Sequence, residues 1–463
     1  MHVMAKNRVC FIMIKRQSEQ YLKHWFDKTR RKPLVLRGAR QVGKSTLVRQ
    51  FAEHHGLVLH EINLEKHLLL DDVFKSLDIK RIVMELEGLL GRNILEDGSL
   101  LFLDEVQATP HALAALRYFY EELPELPVIA AGSLLEFALA KHSFSMPVGR
   151  VEYHHISPVS FSEFITCLEP DLNAWREAAG RFEEIAETAH QRLLSRFREY
   201  LFVGGMPEAV LEFMESGSLS EVQEVQRSIV ETYQDDFSKY AQHAELVRLQ
   251  RIFGQIPRNI GRKIKYVNLS REERSREIKA GVELLSRAQV CQKVTASHCS
   301  GLPLSAEASD DHYKLIFMDV GIVNYLCGGR WNDISEATGQ VLVNEGPLAE
   351  QFVGQHLAYL DRGKPQLNYW LREGRANNAE VDYVISQGRQ ILPVEVKAGA
   401  SGSLKSLQQF VLEKGSAQAI RFDLNPPSKM MVEVKARSGG SVEDVRFELL
   451  SLPLYAVETL PLL

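Results

Sequence analysis

Cysteine is scarce in this sequence: five residues in 463, at Cys10, Cys167, Cys291, Cys299 and Cys327. They are scattered and odd in number, which excludes a disulfide framework or a zinc site of paired Cys/His spacing and predicts reduced thiols. An excess of one charge is also lacking. The formal net charge is −5, so there is no global nucleic-acid signature and any such contact is confined to a local patch. Long apolar runs are missing, and none approaches the ~20 residues of a membrane span. The early run Val9–Ile14 is too short for a signal-peptide core and no small-residue cleavage site follows it. These absences predict a cytoplasmic protein without membrane contact. With 45% hydrophobic and 25% charged residues, the composition is that of globular domains. The length asks for two to four of them.

What is present centres on Gly38-Ala39-Arg40-Gln41-Val42-Gly43-Lys44-Ser45, which fits G-x-x-x-x-G-K-[ST]. A short apolar run, Pro33–Leu36, precedes it as a buried strand would. Thr46–Phe51 follows with the apolar spacing of a helix face. Glycines let the loop turn its N–H groups toward phosphate oxygens, and the helix N-terminus adds partial positive charge. ATP is the expected ligand, held by residues Gly38 to Thr46. Lys44 would reach the β- and γ-phosphates, and Ser45 would ligate Mg²⁺.

Ser99-Leu100-Leu101-Phe102-Leu103-Asp104-Glu105-Val106-Gln107 reads as a strand buried on both faces that delivers acids at its C-terminal end. Asp104 is the expected Mg²⁺ holder through its water shell, and Glu105 the group that orients or deprotonates the attacking water. The strand Leu126–Ser133 should lie between these two, with Ser133 sensing the γ-phosphate. The alternative for Ser133 is an ordinary loop start. Arg150, after Gly149, is either a charge-stabilising arginine or a surface one, because its planar fork suits phosphate oxygens.

The middle of the chain is helical, punctuated at Gly204-Gly205-Met206-Pro207. From Ala241 to Val290 there are eleven Lys/Arg against five Asp/Glu. Helix-spaced apolar residues followed by a strand-like Gln292–Thr295 suggest a winged helix, whose basic face either contacts DNA or is simply solvated. Further on, Ala379–Ile385 and Ile391–Lys397 read as a hairpin turning at Gln387-Gly388. Glu395 and Lys397 are two apart and share a face. Asp382 approaches them across the hairpin, and Glu350 on a helical stretch could complete a metal shell acting on a phosphodiester. The competing reading is a charged solvent face.

These stretches, together with Val148-Gly149-Arg150, Ile156 to Phe164, Gly204 to Glu208 and Phe317-Met318-Asp319-Val320-Gly321, run in an order that resembles a large prokaryotic ATPase family. Its members join an AAA+-like P-loop domain to a C-terminal domain of unknown function similar to PD-(D/E)XK nucleases. The resemblance implies an α/β protein with an N-terminal extension over 1–20 and an AAA+-like core over 21–165. A helical lid over 166–235, a winged-helix-like region over 236–310 and a restriction-endonuclease-like domain over 311–463 would follow. The extension before Tyr21 and the lack of Pro beside Asp382 depart from the pattern. Three functions stay open: an ATP-driven switch, with DNA or a protein as partner and with oligomers possible; an ATP-regulated nuclease; and a nucleotide-dependent scaffold.

Overall fold

The computed structural model describes residues 13–132, 149–238, 243–329, 345–360, 365–373, 378–399, 402–438 and 441–462. Among them, thirteen strands form two sheets. The first consists of β1 (Leu34–Arg37), β2 (Val58–Asn63), β3 (Ser99–Asp104), β4 (Val128–Ala131) and β5 (Glu152–His155). All pair in parallel, in the order β2-β3-β4-β1-β5. Central parallel strands are covered on both faces, and their sequences are accordingly continuous apolar runs. Every residue of β3 and β4 is buried. β4 lies between β1 and β3, as the sequence reading places it.

Helix Lys44–His54 packs Leu47, Val48, Phe51 and Ala52 against this sheet, the stripe an amphipathic helix presents. A helix over Ser18–Phe26 leads into the core, with Leu22 and Trp25 fully buried. Residues 13–20, read as part of an extension, are integral to the core: Ile14 and Arg16 are both 6% exposed. Arg16 Nε pairs with Glu163 Oε2 at 3.1 Å, and its Nη2 donates to Ser157 O at 2.6 Å. A buried guanidinium needs such a partner.

The helical stretch before Gly204 includes two helices, Pro170–Gly180 and Glu187–Val203. The Gly204-Gly205 break then has a packing cause. Gly204 has φ +75°, and a Cβ there would lie 2.2 Å from Asp319 Oδ1. A Cβ on Gly321 would lie 2.6 Å from Gly204 N and Val203 O. Gly205 N donates to Asp319 Oδ2 at 2.6 Å. The two glycine motifs are thus two halves of one joint, pressed backbone to backbone.

The second sheet holds β6 (Cys291–Ser297), β7 (Ala308–Phe317), β8 (Leu367–Arg372), β9 (Ala379–Gln387), β10 (Gln390–Val396), β11 (Gln418–Asp423), β12 (Ser428–Ser438) and β13 (Ser441–Pro453). Its order is β12-β13-β11-β10-β9-β8-β6-β7. The strand expected as a wing, Gln292–Thr295, is therefore β6, an inner strand paired antiparallel to β7 and parallel to β8. The winged-helix reading gives way here because Cys291 and Val294 are buried within the large sheet, and the boundary drawn at 310 falls inside β7. One apolar cluster runs from Leu22 and Phe51 through Phe161, Tyr200 and Phe253 to Phe352 and Leu454, joining both sheets.

Two expectations follow. Gly321→Ala should cost about 3 kcal/mol in denaturant unfolding by overpacking, against roughly 1–2 kcal/mol for Gly388→Ala, which has φ +58° but open space around it; equal losses would contradict the joint. Burial pushes the Asp319 carboxyl from 3.8 up to about 6. Its stabilising contribution is then complete below the unfolded value and lost as pH rises through about 6. Asp319→Asn lacks this titration, so its stability should gain on wild type by up to about 3 kcal/mol between pH 4 and 6.5. A pH-independent difference would refute it.

Candidate functional site

Strand β1 ends where the Gly38–Ser45 loop begins, and the loop is shaped by what cannot fit. A Cβ on Gly38 would lie 2.3 Å from Ile156 O. Gln41 and Gly43 take φ of 63° and 87°, the left-handed turns that expose successive N–H groups. Lys44 is 7% exposed, and its Nζ donates to Gly38 O at 3.0 Å and Ala39 O at 2.8 Å. Burial lowers its pKa to about 8, against the pull of Glu105 and Asp104. The lysine is folded back onto its own loop, and a phosphate would offer it better acceptors than neutral carbonyls.

Ser45 Oγ donates to Asp104 Oδ2 at 2.7 Å, so loop and β3 meet where the sequence places them. Burial raises the Asp104 carboxyl above its ordinary value, with the Ser45 bond opposing. A hydroxyl and a carboxylate in contact form a hard-oxygen donor pair that fits Mg²⁺. Glu105 follows with φ 52°, a strained left-handed position for a side chain. Gln107 Nε2 donates to Glu105 Oε2 at 2.5 Å. The sequence reading quoted Gln107 without giving it work. Ser133 lies outside the described residues. Arg150 is exposed, and its Nε donates to Glu121 Oε1 at 2.8 Å. The described contacts of Lys44 and Asp104 do not include it.

The loop is also gripped from outside the core. Arg40 pairs with Asp236, and Tyr233 Oη donates to Arg40 O at 2.7 Å, both from helix Leu219–Phe237. Arg16 Nη1 donates to Val42 O at 3.0 Å. Sequence periodicity marks Tyr233 as core and offers no sign that Asp236 meets residue 40.

In the second constellation the structure brings Asp382 beside the β10 strand that carries Glu395 and Lys397, and sets Lys314 between Asp382 and Glu350. Asp382 Oδ2 accepts from Val396 N at 2.8 Å, and Lys397 Nζ contacts Glu395 Oε1 at 2.5 Å. Glu350, on helix Glu345–Leu360, reaches the same face. Lys314 on β7 enters the middle: its Nζ lies 2.8 Å from Glu350 Oε1 and 3.8 Å from Asp382 Oδ1, and it pairs with Glu380. Burial raises Glu350 and Glu395 above the ordinary carboxylate value, with Lys314 and Lys397 opposing. Burial works against the charge of Lys314, but Glu350, Asp382 and Glu380 outweigh it and hold the ammonium above its ordinary value. The available signal was a lysine inside the apolar run Tyr313–Phe317.

The basic stretch is partly neutralised. Arg248 pairs with Glu273 and Glu277, Arg251 with Glu272, Lys263 with Glu373 and Lys279 with Asp311. Of the cysteines, Cys167, Cys291, Cys299 and Cys327 are free thiols.

Residues 30–165 match the family model of an AAA domain. Residues 194–333 and 345–426 match two domains of unknown function, DUF8612 and DUF4143. No curated protein matches the chain. Among solved structures, it is similar to C. elegans PCH-2 at 15% identity and TM-score 0.25, covering 44% of this chain and 59% of that one. It is also similar to the Thermotoga maritima RuvB Holliday junction branch migration motor, at 16% identity and TM-score 0.28, over 61% of this chain and 90% of that one. The Aeropyrum pernix ORC2 protein in its ADP form gives 12% identity and TM-score 0.28, over 62% and 90%. At these scores the structural likenesses carry no argument. The phosphate loop, its meeting with Asp104 and the family match together make residues 30–165 an AAA-type, nucleotide-binding ATPase domain.

Proposed function

We propose that the chain is a Mg²⁺-dependent ATPase whose phosphate loop reports its nucleotide state to the C-terminal half. The observation that carries this reading is the grip on Arg40 by Asp236 and Tyr233. A loop whose only task was phosphate binding would need no anchor on a helix nearly 200 residues away, whereas a switch needs such a link. The Asp319 joint supports the same route, because helix Glu187–Val203 leads into Gly204 and helix Val320–Leu326 follows Asp319.

In this reading Lys44 leaves the carbonyls of Gly38 and Ala39 and donates to the β- and γ-phosphates. Bound Mg²⁺ would supply further neutralisation of those phosphates. Ser45 and Asp104 would hold it. Glu105, steadied by Gln107, orients the attacking water and accepts its proton. Arg150, in the same chain or from a neighbouring copy, and Ser133 remain candidates for stabilising or sensing the γ-phosphate.

For the C-terminal domain we infer a binding role in preference to cutting, since Lys314 already occupies its acidic pocket. A protein partner is favoured over DNA, because Arg248, Arg251, Lys263 and Lys279 of the basic stretch already face carboxylates.

Saturating Mg-ATP at a hundredfold excess over Kd should stabilise the chain by about 2.7 kcal/mol, and Lys44→Ala should abolish the shift. Glu105→Gln should keep the shift and lower turnover about a hundredfold or more. Undiminished turnover in Glu105→Gln would refute its role, and an unchanged shift in Lys44→Ala would refute the site.

A further inference from the structure

We propose that Lys314 is the resident cation of the C-terminal domain: its ammonium fills the point among Glu350, Glu380 and Asp382 where a nuclease of this architecture would hold a divalent metal. This rests on the nuclease-like reading of the domain and explains why such a fold would bind without cutting.

The geometry is specific. The Lys314 side chain is 2% exposed and reaches carboxylates from three places: Glu350 on a helix and Glu380 and Asp382 on β9. It does so from β7, with β6 and β8 lying between it and β9 in the sheet. The ammonium lies 5.1 Å from the centroid of the Tyr369 ring on β8. A lysine at an ordinary position in a buried strand would turn its head to water along the surface. Here it runs inward, where only a cluster of acids offsets the desolvation of its charge.

A divalent ion would need several oxygens within 2.0–2.6 Å or so of one point. The oxygens of Glu350, Glu380 and Asp382 converge instead on Lys314 Nζ. Their remaining oxygens are partly engaged as well. A Cβ on Gly261 would lie 2.8 Å from the second oxygen of Glu350. Asp382 spends its other oxygen on Val396 N. Metal and ammonium would compete for the same carboxylates, and the lysine is covalently present at all times. The domain is thereby committed to an ammonium-filled pocket that also ties β7 to β9.

The test titrates nucleotide-free, full-length protein with Mn²⁺ and follows the free-ion EPR signal, in a Ser45→Ala background that removes the phosphate-loop ligand. The chain with Lys314 and its Glu350→Gln variant should give the same Mn²⁺ isotherm. Lys314→Met should gain one Mn²⁺ per chain, at least tenfold tighter than any residual binding, and Lys314→Met with Glu350→Gln should lose it. A Mn²⁺ site in the Lys314-containing chain that disappears in Glu350→Gln would overturn the proposal while leaving the nuclease-like reading intact. A folded Lys314→Met that gains no site would show that the pocket is not metal-shaped, and both would fall. If Lys314→Met does not fold, the comparison of the Lys314-containing chain with Glu350→Gln still decides, since unequal isotherms there contradict the proposal.

Discussion

A buried guanidinium in a protein interior is tolerable only if its charge is matched, and Arg16 sets that requirement at the centre of this molecule. It is matched by Glu163, and both are 6% exposed. Glu163 is also the capping-box residue of helix Phe161–Leu168, accepting from Ser160 N at 2.9 Å. The same helix start meets the chain's far end: Ser160 Oγ and Ser162 N both donate to Glu458, at 2.9 Å. Phe161 N donates to His356 Nε2 at 3.0 Å, from helix Glu345–Leu360. His356 Nδ1 is left to donate to Phe352 O, which fixes the neutral tautomer, and burial lowers its pKa accordingly. Removing one member of such a buried set leaves a charge or a donor stranded, at about 3–5 kcal/mol for an ion pair. The segment around Arg16, the ATPase core and the C-terminal domain are therefore held at one polar knot.

The phosphate loop is likewise contacted from several sides. Ile156 O lies where a Gly38 Cβ would have to be. Arg16 holds Val42, and helix Leu219–Phe237 holds Arg40. At the loop, the residues proposed to bind phosphate meet helix Leu219–Phe237. In the proposed switch, phosphates that pull Lys44 from its carbonyls would change a structure whose neighbours belong to other domains.

The phosphate loop, β1, β3, β4 and the β9–β10 hairpin were legible because each is coded locally. A glycine-rich loop, a short apolar run and a two-residue turn need no distant partner to be recognised. Asp382, Glu395 and Lys397 could be grouped from strand alternation and hairpin geometry, and Glu350 was added from a helical stretch. β6 was misread because its burial pattern does not alternate, and its pairing with β8 joins residues more than 70 apart. Asp236 was invisible for a related reason, and the apolar run around Lys314 marked a buried charge without naming its partners. Their partners, Glu350 and Arg40, are fixed by tertiary folding, and a charged residue carries no mark of whether it will face water or an acid. The residues before Tyr21 looked detachable because a single arginine does not announce that it is buried.

Amide hydrogen exchange with and without a non-hydrolysable ATP analogue tests the central claim most directly. Nucleotide should alter exchange within 30–165 and, in the same sample, over helix Leu219–Phe237 and the 319–326 segment. In Asp236→Ala with Tyr233→Phe, nucleotide should still protect the loop while the distant change disappears. Protection confined to 30–165 in the wild-type chain would contradict the account and leave an ATPase with no mechanical link to its C-terminal half.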